Sequence, residues 1–202
     1  MAGVPAKYAF LSSVGLLPRT ITHGLALLGT NEIPGKGSNP VIESWRDELN
    51  KAGCSVVGFS DDAVPWCGLF AAIVAHRAGK TPVSSPLWAM NWRNFGVEIA
   101  SNVGTTAKPK LAFKPGLKAS LGDVLVFQRK TATGFAGHVG FYIAEDTDAY
   151  HVLGGNQSDS VTITRVVKSR CVAVRRPPMN TAPASVRPFV VAANGHISTN
   201  EA

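Results

Sequence analysis

An α+β fold, helices first and an antiparallel sheet after, is predicted for this 202-residue chain by three observations. Cap residues followed by apolar positions three and four apart fill much of the stretch before residue 96. Short apolar runs separated by Gly, Asn, Asp and Ser turns fill the stretch after residue 121. The links between those runs are too short for parallel crossovers, so the strands must pair antiparallel.

The elements follow in order. The first 20 residues hold one short apolar run broken by Gly15 and Pro18, a weak signal-peptide candidate with no clear cleavage site. They are read as a leading segment of the mature chain, so residues 1–21 form an N-terminal extension. Thr22 caps a short helix over His23–Leu28 that stops at Gly29. GTNEIPGKGSNP, residues 29–40, is an ordered loop. Asn39 then caps a helix starting at Pro40 and running to about Lys51, with Val41, Ile42, Trp45 and Leu49 on one face. DDAVPWCGLFAAIVAHRAG, residues 61–79, is the segment around which the others are arranged. Pro65 suits the first helical position, Trp66 to Ala78 is apolar on nearly every side, and Gly79 stops the helix. Ser85-Pro86 repeats the cap-then-proline signal for a helix over Leu87–Phe95. Residues 97–117 are weakly periodic and read as a long loop with room for one strand. Strands are expected over 122–128, 137–144, 150–154, 161–166 and 171–176. Four prolines between Pro177 and Pro188 mark 179–202 as a flexible tail.

Composition narrows the function. At 45% hydrophobic and 16% charged residues, the chain is globular. No apolar run approaches the roughly 20 residues that span a bilayer. The charge of +7 and pI near 9.6 suit an anionic partner such as a cell-envelope polymer, or simply a solvated surface. No nucleic-acid motif is present. Three cysteines, Cys54, Cys67 and Cys171, make no disulfide framework and no zinc spacing. The acidic run Glu145, Asp146, Asp148 lacks calcium-loop spacing and reads as a solvated turn. No cofactor or metal is expected.

Cys67 falls in the first turn of the buried helix, where free N–H groups and the helix dipole favour a thiolate and can hold an oxyanion. The plainer alternative is a small hydrophobe in a core. A thiol nucleophile needs a base, and the base needs a group to hold its ring. His76 is about two and a half turns along the same helix, His151 lies inside an apolar strand, His23 is outside the sheet, and His196 is in the tail. His138 opens a strand, where an imidazole can meet a helix N-terminus. Asn156, after Gly154-Gly155, supplies an amide oxygen that can fix the imidazole tautomer. Trp66 and Gly155 flank these residues as candidate substrate contacts. Trp88 and Trp92, one turn apart, can stack as core or as a groove wall.

Pro65-Trp66-Cys67, Gly137–Tyr142 (GHVGFY) and Val152–Gln157 (VLGGNQ) together resemble the nucleophile, base and third motifs of the NlpC/P60–CHAP superfamily of peptidoglycan hydrolases. Glu32–Gly35, Gly122-Asp123-Val124 and Arg175-Arg176-Pro177 fit the same group. The resemblance covers about residues 22–178, taken as the hydrolase domain. It implies a papain-like fold and a thiol-dependent endopeptidase or amidase acting on the peptide part of murein, with Cys67 as nucleophile, His138 as base and Asn156 as orienting group. It further implies a phage endolysin or virion-associated lysin, monomeric, held in the host cytoplasm until release to the wall or carried on the virion. Two departures stand out. Gly154 and Gly155 replace the Glu that many CHAP domains carry before the Asn, and Gly68 replaces an expected Ala. A catalytically silent wall-binding or virion structural protein with the same fold is the alternative.

Overall fold

In the computed structural model, which describes residues 3–35, 37–131 and 134–198, the chain forms a seven-stranded antiparallel sheet with helices against one face. The helices are α1 (Arg19–Leu25), α2 (Pro40–Lys51) and α3 (Cys67–Arg77). The strands are β1 (Val97–Asn102), β2 (Leu111–Phe113), β3 (Val124–Thr131), β4 (Gly134–Glu145), β5 (Ala149–Gly154), β6 (Thr162–Val167) and β7 (Cys171–Arg176). Their spatial order is β2-β1-β7-β3-β4-β5-β6.

Helix α2 follows the expected pattern. The Asn39 side chain accepts the Val41 N–H at 2.8 Å, Pro40 stands at the first position, and Ile42, Trp45 and Leu49 are buried. Val41, expected on that face, is 47% exposed. Helix α3 is buried on every side from Cys67 to Ala75, as its unbroken apolar run requires. It starts at Cys67, two residues later than predicted, so Pro65 lies outside it. Helix α1 starts three residues before Thr22, because the Pro18 carbonyl, not a threonine cap, accepts the first amides.

Three expectations fail in instructive ways. Residues 87–95 form a 3-10 helix over Ala89–Asn94 instead of an α-helix. The 97–117 stretch holds two strands, β1 and β2, which widen the sheet beyond β7. The tail is laid along the sheet as far as Ser198: Val191 N–H bonds the Glu145 carbonyl, Ser185 Oγ bonds the Leu16 carbonyl, and Ser198 N–H bonds the Arg165 carbonyl. The N-terminal extension is docked too, with Tyr8 and Leu11 buried. Tyr8 Oη lies 2.7 Å from His151 Nδ1, whose Nε2 meets Asp146 at 2.9 Å. Asp146 also takes Arg165 Nε at 2.7 Å and the amides of Asp148 and Ala149. At 3% exposure it is the hub of a buried network, and the solvated-turn reading of its segment is corrected.

Two motif segments of unassigned role meet across the sheet. Asp123, fully buried, receives Arg176 on both oxygens at 2.8 Å and the Ser120 N–H at 2.9 Å. Arg175 ties the Phe95 and Gly96 carbonyls and Glu98 to β7. All three cysteines are free thiols. Among the described residues no helix is long and apolar enough to cross a membrane.

Candidate active site

The start of α3 is wedged among three chain segments, and glycines make each approach possible. A Cβ on Gly68 would collide with the Pro86 carbonyl oxygen and lie 2.8 Å from that of Leu87. A Cβ on Gly155 would lie 2.6 Å from the Trp66 ring, and one on Gly137 would be 3.0 Å from Ala89 Cβ. The glycine at 68, where the resemblance implies alanine, is therefore imposed by the 86–87 backbone. Gly68→Ala is expected to destabilise the protein by about 1–3 kcal/mol, the usual range for overpacking. A thermal melt checks this, and an unchanged midpoint would show that residues 86–87 yield freely.

Strand β5 pairs with β4 only from Phe141↔Leu153 onward. Earlier in β4, the strand edge that faces away from β3 is left to the head of α3. There the Val139 N–H reaches the Cys67 sulfur, alongside the amides of Gly68 and Cys67 itself. His138 is the residue just before Val139. Its Nε2 lies 3.1 Å from Gln157 Oε1.

The Gln157 amide is held in one orientation. Its Nε2 donates to the Thr162 carbonyl at 2.7 Å and to those of Val152 and Gly154 at 3.2 and 3.3 Å. Carbonyls cannot donate, so the NH2 group must face them and Oε1 must face the ring. A carboxamide oxygen only accepts, so His138 Nε2 carries a proton, and it is Nδ1 that bears the lone pair in the neutral form of the ring. Gln157 thus occupies the position expected of Asn156. Asn156 adopts φ +54°, followed by Ser158 at +52° and Asp159 at +59°. This left-handed turn delivers Gln157 to the ring, and Asn156 serves as one of its bends. Residue parity cannot be read through such a turn, so the sequence pointed to the amide one position early. Asn156→Ala is expected to leave the ring in place with little effect on activity. Gln157→Ala frees the ring and, for the hydrolase proposed below, is expected to lower kcat/KM about 10–100-fold, with kinetics on a soluble murein peptide as the check. Equal losses in both would return the orienting role to Asn156.

The aromatic candidates separate. Trp66 is fully buried, its Nε1 3.3 Å from Glu32 Oε2 and its ring edge-on to Trp45 at 6.0 Å. Burial raises the Glu32 carboxyl pKa; the Trp66 N–H opposes this, while Asp159, Asp62 and Asp61 raise it further. Trp92 is buried against Phe95 and donates to the Pro86 carbonyl at 3.0 Å. Neither is a groove wall, Trp88 and Trp92 do not stack, and Gly155 is packed under Trp66 and Phe70. Trp88 alone is at the surface, 72% exposed, on the segment that covers the head of α3.

The site is closed: Cys67 is 2% exposed and His138 1%. Burial pushes the Cys67 thiol up to about 11, against the pull of the Val139, Gly68 and Cys67 amides and the charge of Arg129. The expected thiolate is therefore a neutral thiol at rest, because desolvation outweighs the amides of the helix start. The sign is direct: a raised thiol pKa means alkylation by iodoacetamide is slow at pH 7.5 and accelerates as pH climbs toward about 11. Mass-spectrometric rates at Cys67 check this. Fast modification at pH 6 would indicate a resting ion pair.

The other histidines lie elsewhere: His151 in the Asp146 network, His76 beside Glu48 at 4.0 Å, His23 on α1 and His196 in the tail. Compared with models of known families, with curated proteins and with solved structures, the chain matches none.

Proposed function

We propose that the protein is a cysteine-dependent hydrolase of the papain-like NlpC/P60–CHAP kind, cutting the peptide part of murein as an endopeptidase or amidase. The observation that carries this reading is the ring of His138, its tautomer set by Gln157 so that Nδ1 is the basic atom, one residue from the amide that touches the Cys67 sulfur. In this reading His138 Nδ1 takes the thiol proton and the sulfur attacks the peptide carbonyl. The Cys67 N–H holds the oxyanion, a contact of a type that contributes about 2.7–4 kcal/mol. The proton passes from His138 to the leaving amine, and water then cleaves the thioester. Because the head of α3 is covered, substrate must displace the segment carrying Leu87 and Trp88 to reach the sulfur. Phage lysis or virion entry and a monomeric state belong to the same reading.

One observation favours the alternative of a catalytically silent wall-binding or virion protein: the sulfur is sealed and its thiol neutral. Mass spectrometry of murein digested by the wild-type protein and by Cys67→Ser decides between the two. New amino termini that appear only with the wild type establish the hydrolase and name the bond. An unchanged murein supports the silent protein.

A further inference from the structure

A cavity lies between the leading segment and the tail, by the end of α3 away from Cys67. Arg19 Nη2 donates to the Arg77 carbonyl at 3.3 Å and the Lys80 N–H bonds the Ala75 carbonyl, so both cations belong to the last turn of that helix. Residues 16–20, the turn at Gly122, Lys80 and tail residues between 177 and 183 line a space of about 300 Å³. Its walls are pinned to one another. Ser185 Oγ donates to the Leu16 carbonyl at 2.5 Å, and the Leu121 N–H to that of Arg187 at 3.1 Å. Most of the lining is apolar: Leu16, Leu17, Pro18, Pro177, Met179 and Pro183. A concave apolar lining with a few fixed polar groups is the usual form of a small-molecule site.

One polar group there lacks what burial demands. Thr20 lines the cavity and is 3% exposed, yet its hydroxyl has no hydrogen-bond partner among the described residues. Oγ1 faces Gly122, another lining residue, where an added Cβ would lie 3.3 Å from it. A buried hydroxyl without a partner forfeits the bonds it makes to water in the unfolded chain, and a ligand atom that bonds it offsets that loss. The hydroxyl can donate or accept.

The charges select the kind of ligand. Arg19 and Lys80 are the charged residues at the cavity, and no carboxylate lines it among the described residues. Neither cation forms an ion pair among those residues. Asp123, next to Gly122 in the chain, is already held on both oxygens by Arg176. An anionic head complements the two cations, and the planar guanidinium of Arg19 suits a carboxylate. The leucine, methionine and proline side chains suit an apolar body.

We propose that this cavity binds a small carboxylic acid with an apolar body, its carboxylate met by Arg19, Lys80 and the Thr20 hydroxyl. Because the lining comes from both ends of the chain, the bound acid ties the leading segment to the tail. The proposal does not rest on the hydrolase reading, since no residue of the candidate active site takes part. The test is calorimetric titration of the full chain at low salt with three probes. These are octanoate, octanamide (the same body without charge) and acetate (the head without the body). Octanoate should bind about 10-fold or more tightly than either, as a charge-assisted contact implies. Thr20→Val keeps the branched shape and removes the hydroxyl. It should weaken octanoate about 10-fold, yet leave the thermal midpoint of the free protein unchanged or higher, because no hydrogen bond is lost there. Lys80→Gln should bring octanoate close to octanamide. Met179→Trp, which fills the cavity from the tail, should abolish binding of both. No binding of octanoate, equal affinities for octanoate and octanamide, or an octanoate affinity that Thr20→Val leaves unchanged would each overturn the proposal.

Discussion

Cys67→Ser is expected, in the proposed hydrolase, to lower murein hydrolysis by at least about 10⁴-fold while leaving the fold intact, and His138→Ala by about 10²–10⁴-fold. Serine is close in size to cysteine and can accept the Val139 N–H in place of the sulfur, so the head of α3 keeps its packing. What it loses is nucleophilicity, because a hydroxyl is far harder to deprotonate than a thiol. His138→Ala removes the acceptor of the thiol proton and leaves Gln157 Oε1 without the ring. Because the proposed mechanism joins both residues in one proton-transfer unit, the double variant should be scarcely worse than Cys67→Ser. The measurement is release of soluble peptides from purified murein, with thermal midpoints recorded alongside. A Cys67→Ser protein that retains the wild-type rate would end the thiol mechanism.

Arg176→Ala is expected to destabilise the protein by about 3–5 kcal/mol, the cost of stranding a buried charge. At this chain length that is a fall in Tm of about 6–20 °C. Asp123 is fully buried, and among the described residues Arg176 and the Ser120 amide offset its loss of water. Even with Arg176 present, burial leaves the Asp123 carboxyl above its ordinary value. Removing the guanidinium raises it further, so in the variant the group gains protonation as pH falls. A folded-state pKa above the unfolded one favours the fold at low pH and costs stability as pH rises. The gap between variant and wild type should therefore be widest near pH 7.5 and narrow toward pH 5. Urea unfolding at the two pH values checks both size and sign. Arg176→Lys keeps the charge but not the two-pronged contact, and should fall between.

Much of the architecture was legible because it is local. Asn39-Pro40 is a cap and first turn wherever it occurs, and the Trp66–Ala78 run has no polar side to show to water. The short apolar runs from Gly122 onward could pair only antiparallel. The position of Cys67 was legible for a related reason. The cysteine at a helix head is placed by its own element, whereas the histidine expected to open a strand lies at the fifth position of β4, opposite Phe127, because β3 and β4 pair out to Thr131↔Gly134. What was not legible depends on contacts far apart in the chain. The strands β1 and β2 have little periodicity of their own and exist because β7 offers an open edge. The tail, rich in proline, was read as free, but its carbonyls and amides find the sheet margin at Glu145 and Arg165.

The sequence by itself determined the α+β class and the buried helix with Cys67 at its head, because each follows from side-chain pattern along a few neighbouring residues. Only the tertiary structure decided that Gln157 and not Asn156 holds the His138 ring, that Trp66 and Trp92 are core, and that the thiol rests neutral. Those outcomes depend on which groups converge through a left-handed turn and on how much water the convergence removes, and neither is written in the spacing of residues.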